Sequence, residues 1–303
     1  MKKVILAALL TSTALFGAAA TAQTNGDTPA PLIEGRNFSN LNTRNLSERR
    51  YDIAAPSGDA TQFSFKLKGY VFGFKMITAH YNGYIDGDHY AAYTDIKTSG
   101  LGAMLKKLEI WAVSKGTHNG LELTPDFQVQ QNLDGKNRRV EMNYENVLKT
   151  VDVNIIPTLG SQGLPPASPA ERYSANDAVS AILDIMMRGQ RLDKPFCDGK
   201  TRVFDSKQHY NLRMERDGTG KERLNGEKIV TQICRIYYEP INGFDPEDLP
   251  DAEEASTPIK AEFYANPELG LYVPLKFTYK ISAIKAVIKL DKMKWISPQE
   301  PPL

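Results

Sequence analysis

The stretch Phe196–Gly218, FCDGKTRVFDSKQHYNLRMERDG, gathers the residue types used in nucleophilic, acid–base and metal chemistry: Cys197, Asp205, His209 and Arg213. A general base must come within about 3 Å of its partner. The pattern fits a strand, and alternation places Val203, Asp205, Lys207, His209, Asn211 and Arg213 on one face and Phe204, Tyr210, Leu212 and Met214 on the other. Four residues of extended chain then hold Asp205 and His209 roughly 13 Å apart. No catalytic dyad is expected there, and the row reads as the polar face of a strand turned to solvent or to a wet lumen.

Other candidates for chemistry disperse in the same way. His80, His89, His118 and His209 are scattered, without the H-x-H, H-E-x-x-H or paired C-x-x-C spacings that bring metal ligands together. There is no G-x-S-x-G nucleophile elbow, and no Gly-rich phosphate loop leads into a helix. Asp86, Asp88, Asp126 and Glu215 supply carboxylates for a glycosidase-like pair, but turn chemistry accounts for Asp86 and Asp88. The expectation is no catalytic residue, no metal and no cofactor.

The chain opens MKKVILAALLTSTALFGAAATAQ, with Lys2 and Lys3, an apolar run from Val4 and small residues at Ala20-Thr21-Ala22. That is the form of a secretory signal peptide over 1–22, cleaved after Ala22. The run is barely long enough to span a bilayer and is interrupted by Thr11, Ser12 and Thr13. No transmembrane segment is expected after its removal, and the exported chain is placed in the periplasm. Cys197 and Cys234 are the only cysteines, and an oxidising compartment makes a disulfide between them the expectation. With 37 Lys and Arg against 36 Asp and Glu, the chain lacks the basic excess that holds a phosphate backbone, so nucleic acid is not an expected partner.

Residues 23–61 are polar and read as a linker or a segment draped on the domain. A single β-rich domain is expected over 62–303. Its first part, FSFKLKGYVFGFKMITAHY, changes apolar phase at Gly69, where a bulge or sharp twist fits. Short alternating segments follow, from HYAAYTDIKTSG to KTVDVNIIP, too closely spaced for crossover helices and therefore antiparallel. One helix stands out in NDAVSAILDIMMRG: Asn176 or Asp177 caps it, Val179, Ile182, Leu183 and Met186 form its stripe, and Gly189 ends it. It is expected to plug or cover one side of a curved sheet. Strands resume to LYVPLKFTYKISAIKAVIKL, where a phase change at Ser282-Ala283 marks a bulge or tight turn. The acid-rich run DPEDLPDAEEASTP reads as a solvated loop.

Four stretches in order resemble an exported family, domain of unknown function 3108: YTDIKTSGLGAMLKKLEIWAVSKGTHNGLELTPDFQ, NDAVSAILDIM, CDGKTRVFDSKQHYNLR and CRIYYEPINGF. The likeness is strongest in the last two, with a Cys, a Phe-Asp-Gly-like step, a Tyr-x-Leu run and a second Cys. Ser206 stands where the family has Gly, and Ala178-Val179 where it has Pro-Leu. The resemblance implies an exported, curled β-domain with no activity to carry over, and it too pairs Cys197 with Cys234.

The expected architecture is therefore mainly β, an antiparallel sheet curled into a barrel or half-barrel with one main α-helix packed on it. The expected role is a non-enzymatic carrier, scaffold or binder in the cell envelope, with a lipid or another envelope protein as partner. Tyr70, Phe72, Phe74 and Met76 are the candidate wall of a ligand cavity. The alternative is an envelope hydrolase whose carboxylates the fold brings together.

Overall fold

The computed structural model describes residues 36–37, 52–120, 122–133, 137–190, 195–224 and 226–297. The signal-like segment 1–22, and most of the polar segment 23–61, lie outside the described residues. Two short strands, β1 (Arg36–Asn37) and β2 (Asp52–Ile53), pair with each other. Ile53 is buried against Tyr84, Trp111 and Val113, so the chain just ahead of residue 61 packs on the convex side of the sheet.

Among the described residues thirteen strands make one antiparallel sheet. In chain order they are β3 (Thr61–Val71), β4 (Phe74–Asp86), β5 (His89–Thr98), β6 (Glu109–His118), β7 (Leu123–Asn132), β8 (Arg139–Glu145) and β9 (Thr150–Ile156). After the helical segment come β10 (Lys200–Phe204), β11 (His209–Leu224), β12 (Glu227–Asn242), β13 (Ile259–Asn266), β14 (Leu271–Ile281) and β15 (Ile284–Ile296). Each strand pairs with its sequence neighbour except at one place: the last strand, β15, pairs with the first of the sheet, β3. The free edges are thus β9 and β10, and the sheet curls without closing. An all-antiparallel meander needs only short turns, which is why closely spaced alternating segments can form it.

Part of the seam between β9 and β10 is closed by side chains instead of a hydrogen-bonded ladder. Phe204 of β10 packs in one cluster with Val140, Met142, Val151 and Ile155 of β8 and β9, and with Ala167 and Ala175 from the connecting segment. Asn176 adds a parallel bridge to Val203, which covers part of the β10 edge.

Among the described residues four α-helices accompany the sheet: α1 (Leu101–Leu105), α2 (Pro169–Tyr173), α3 (Ala178–Met187) and α4 (Ala252–Ser256). Helix α3 is the expected one, capped by Asp177, and it lies inside the curl. Val179, Leu183 and Met186 pack on Phe63, Phe65, Tyr81 and Val273, while Ala181 and Ile185 pack on Val203, Tyr210 and Leu212. A helix apolar on both sides belongs in a core. Gly189 does not serve as the expected stop, since a 3₁₀ turn runs through Arg188–Gln190. A Cβ there would lie 2.1 Å from the Tyr272 ring, so the glycine permits close approach. Among the described residues, no helix is long and apolar enough to cross a membrane.

Two sequence expectations are corrected and a third gains detail. The stretch from Thr201 to Met214 is not one strand: β10 and β11 form a tight hairpin in which Phe204 faces His209. Asp205 Oδ1 accepts from the Lys207 and Gln208 amides at 3.2 and 2.8 Å, and Ser206 takes φ 88°. The polar row of that stretch is also not turned to water, because His209 and Asn211 are buried. Second, β3 and β4 are joined by a turn at Phe72-Gly73 (φ 51° and 84°), with the register shift at Gly69/Tyr70 inside the same hairpin. Third, the acid-rich run is largely exposed, as expected, with Glu247, Asp251 and Glu253 all on the surface, and it is also tied to the domain. Asp245 accepts from Lys207 Nζ at 2.5 Å, and Glu253 accepts from the Ser282 amide at 2.9 Å.

Candidate functional site: an apolar groove beside the luminal helix

The lumen is not filled completely by α3. On the side of Ile182 two adjoining apolar pockets remain, of about 70 and about 80 Å³. They share Thr94, Ile96, Ile182, Pro274 and Phe277 as a common wall. The first continues along α3 past Ala178 and Ile185 toward Tyr210 and Phe263. The second runs between β3 and β4 past Leu67, Gly69, Ile77 and Ile288. At Gly69 a Cβ would come 2.4 Å from Ile77 Cγ1, so the glycine lets Ile77 lie flat along the pocket. Apolar cavities of roughly 150 Å³ stay dry and admit a benzene-sized solute, so a thin hydrocarbon chain is the shape that suits this groove.

Helix α3 is held beside the groove by polar anchors at both ends. At its start the Asp177 carboxylate is buried and accepts from the Val179 and Ser180 amides at 2.8 and 3.0 Å. It also accepts from the hydroxyls of Ser114 and Ser180, each at 2.7 Å. The Tyr90 hydroxyl reaches Ser180 Oγ at 2.8 Å, and the Tyr81 hydroxyl donates to the Val179 carbonyl at 3.0 Å. Burial pushes the Asp177 carboxyl above its usual range, against the hydrogen bonds that hold it down. The same burial holds Tyr81, Tyr90 and Tyr144 well above the ordinary phenol range, so all three stay neutral. At the other end Thr201 donates to Asp184 Oδ2 at 2.5 Å and accepts from Arg188 Nη2 at 2.7 Å. Arg188 Nη1 also donates to the Asp198 carbonyl at 2.8 Å. These bonds tie the helix to β10 and to the turn carrying Cys197.

A second, polar cleft of about 600 Å³ lies at the seam, lined by Glu122, Tyr144, Tyr173, Asn176, Asp184, Lys200 and Arg202 among others. Its buried carboxylate, Asp184, is occupied by Thr201 and by Arg188, whose Nε lies 3.6 Å away.

The structure places the sequence candidates as follows. Cys197 and Cys234 are joined in a disulfide, both buried, with Cα atoms 5.4 Å apart. Tyr70, Phe72, Phe74 and Met76 do not line either luminal pocket. Phe72 and Phe74 sit at the β3–β4 tip and are 62 and 59 % exposed, because the chain turns where continuous strand was expected. The carboxylates are apart: Asp86 accepts from Ser57, Asp126 lies 3.4 Å from the Asn146 amide, and Glu215 pairs with Arg213. The histidines are dispersed too, with His80 on Asp95 and His118 on the Gly87 carbonyl. Among the described residues, no three His, Cys, Asp or Glu side chains gather so as to hold a metal ion.

His209 is buried beside Asn242, and neither ring nitrogen reaches a partner in good hydrogen-bond geometry. Burial lowers its pKa, while the nearby Glu171 carboxylate and the Asn242 side chain act in the opposite sense. Glu171 itself is fixed by the capping box of α2 with Ser168 and by the Asn242 amide at 2.7 Å. The tetrapeptide SPAE carries that capping box in the sequence, a signal the strand-led reading passed over.

No protein-family model matches this chain, and no curated protein matches it. Among solved structures it is similar to a beta-barrel-like protein of domain of unknown function DUF1849 from Brucella abortus. The likeness has a TM-score of 0.47 and 10 % identity over 78 % of this chain and 98 % of that one.

Proposed function

We propose that this is an exported protein of the cell envelope that holds a thin apolar ligand, such as an acyl chain, beside α3 and catalyses no reaction on it. The observation that carries this reading is the pair of adjoining luminal pockets walled by Ile96, Ile182, Pro274 and Phe277. Binding sites of this kind are mostly apolar and preformed. The signal-like opening residues and the Cys197–Cys234 bond favour a periplasmic location. The resemblance to domain of unknown function 3108 favours the same setting. In this reading 62–303 is the ligand-holding domain and 23–61 the segment that leads into it. A hydrolase would need two facing carboxylates, and in the seam cleft Asp184 is already engaged by Thr201 and Arg188.

Native mass spectrometry of the purified chain, before and after delipidation, tests the reading. A bound hydrocarbon-chain species is expected in the first spectrum and absent from the second. After delipidation a fluorescent fatty acid is expected to rebind, and Ile182→Trp, which fills the shared wall, to weaken that rebinding by at least about tenfold. An empty parent protein that also ignores the fatty acid overturns the proposal.

A further inference from the structure

In a meander of this kind alternate connections fall at the same end of the curl, so the β3–β4 tip and the β5–β6 connection share one rim. The β5–β6 connection contains α1, which is seated on the start of β4. A Cβ on Gly100 would lie 2.7 Å from the Lys75 carbonyl oxygen, and one on Gly102 would lie 2.1 Å from that of Met76. The Ser99 amide donates to the same Met76 carbonyl at 2.8 Å. Two glycines therefore let the helix lie flush on the strand, with Gly102 as its only buried residue. Its large side chains are left outside: Met104 and Leu105 are 82 and 76 % exposed, and Leu101 is exposed as well. Together with Phe72 and Phe74 they make an apolar surface across the tip and α1. Five large exposed apolar side chains gathered on one rim mark an interaction surface, whereas single exposed apolar residues are ordinary.

The charges beside the patch are mostly basic. From Lys97 to Leu108 the chain contains Lys97, Lys106 and Lys107 and no acid, and from Lys66 to Ile85 it contains Lys66, Lys68 and Lys75 and no acid, with Lys68 paired to Asp291 of β15 at 2.6 Å. Lys106 and Lys107 are exposed and directly follow α1. On the neighbouring β14–β15 tip Lys280 and Lys285 are exposed, and the Phe72 amide bonds the Lys285 carbonyl. Two acids approach this rim, Glu109 opposite Lys97 on the β5–β6 ladder and Glu253 of α4, which accepts from the Ser282 amide and hydroxyl at 2.9 and 2.8 Å; the lysines outnumber them. Apolar side chains that enter the acyl boundary, ringed by lysines that meet anionic headgroups, are the composition of a surface that lies on a bilayer.

We infer that the β3–β4 tip and α1 form a docking face for an anionic lipid bilayer, with Phe72, Phe74, Leu101, Met104 and Leu105 inserting and Lys106 and Lys107 contacting headgroups. The face stands on its own residues and does not depend on the luminal ligand. It does place Gly69 and Ile77, at the end of the second luminal pocket, on the same hairpin that meets the membrane.

Vesicle flotation of the chain as purified tests this, with phosphatidylcholine vesicles and with vesicles that also contain phosphatidylglycerol. The parent is expected to float with the mixed vesicles and less with the neutral ones, and to be released by salt. Phe72→Ser/Phe74→Ser and Met104→Ser/Leu105→Ser are expected to lower partition into mixed vesicles by about tenfold or more. Lys106→Glu/Lys107→Glu is expected to do the same for mixed vesicles only. Thermal melts of each variant verify that it remains folded, since all these side chains are on the surface. A parent that stays in the soluble fraction, or folded variants that float as the parent does, overturns the inference. So does sedimentation showing a parent dimer that the same substitutions dissociate, because the patch would then bury a second copy. Fatty-acid capture by Ile182 variants is read separately, so loss of one result leaves the other standing.

Discussion

Phe204 and His209 are cross-strand partners, closing a hairpin whose turn is made by Asp205, Ser206, Lys207 and Gln208. The turn works because the Asp205 carboxylate accepts from the Lys207 and Gln208 amides, an Asx turn that needs no glycine to start it. It costs Ser206 a left-handed backbone, at φ 88°.

Ser206→Gly is expected to stabilise the protein. Left-handed conformation costs an L-residue roughly 1–2 kcal/mol, and the added freedom of an unfolded glycine takes back about 0.5–1 kcal/mol. A net gain of about 1 kcal/mol is expected as a higher urea midpoint at unchanged slope. A lower midpoint refutes the strained turn.

His209 makes stability depend on pH. Its folded pKa lies below the ordinary 6.5, so the unfolded chain binds the proton more readily in the interval between the two values. Stability from this group is complete above 6.5 and is lost as pH falls through that interval. Melting temperatures followed from about pH 7.5 downward should decline more for the parent than for His209→Gln, which cannot titrate. Parallel profiles would remove His209 from the acid response.

Asp177 has the opposite sign. Its folded pKa is raised by burial, so its contribution is most favourable below the unfolded carboxylate value and declines as pH rises through the folded one. Asp177→Asn keeps the cap and should gain on the parent as pH rises. Asp177→Ala removes the cap and takes one acceptor from each of the buried Ser114 and Ser180 hydroxyls, which keep each other, Tyr90 and the Phe127 carbonyl, at a cost of about 2–4 kcal/mol. Denaturant melts at two pH values check both expectations.

The Cys197–Cys234 bond closes a separation of 37 residues, worth about 4 kcal/mol in the chain-entropy account. Cys197→Ser/Cys234→Ser should lose that much, and maleimide labelling of the unfolded, unreduced parent should find no thiol. Two labelled thiols would refute the bond.

The antiparallel β class, the capped helix at Asp177 and the turn at Ser282-Ala283 were all legible in the sequence, because alternation, capping chemistry and phase changes are local. The turns at Phe72-Gly73 and Asp205–Gln208 were not, since a phenylalanine and a serine take the left-handed backbone that sequence reading reserves for Gly and Asn. That one misreading turned Phe72 and Phe74 from a cavity wall into a surface tip.

What the sequence determined by itself is the kind of segment each stretch forms: period-two strands, one apolar helix and two cysteines. Only the tertiary structure decided which faces are buried. Pairing of β15 with β3 curls the sheet around α3, so the groove at Ile182 draws on residues from ten separate elements. The same curl buries His209 beside Asn242 and leaves the α1 rim uncovered. Burial is a property of contacts between residues distant in the chain, and a local pattern carries no record of them.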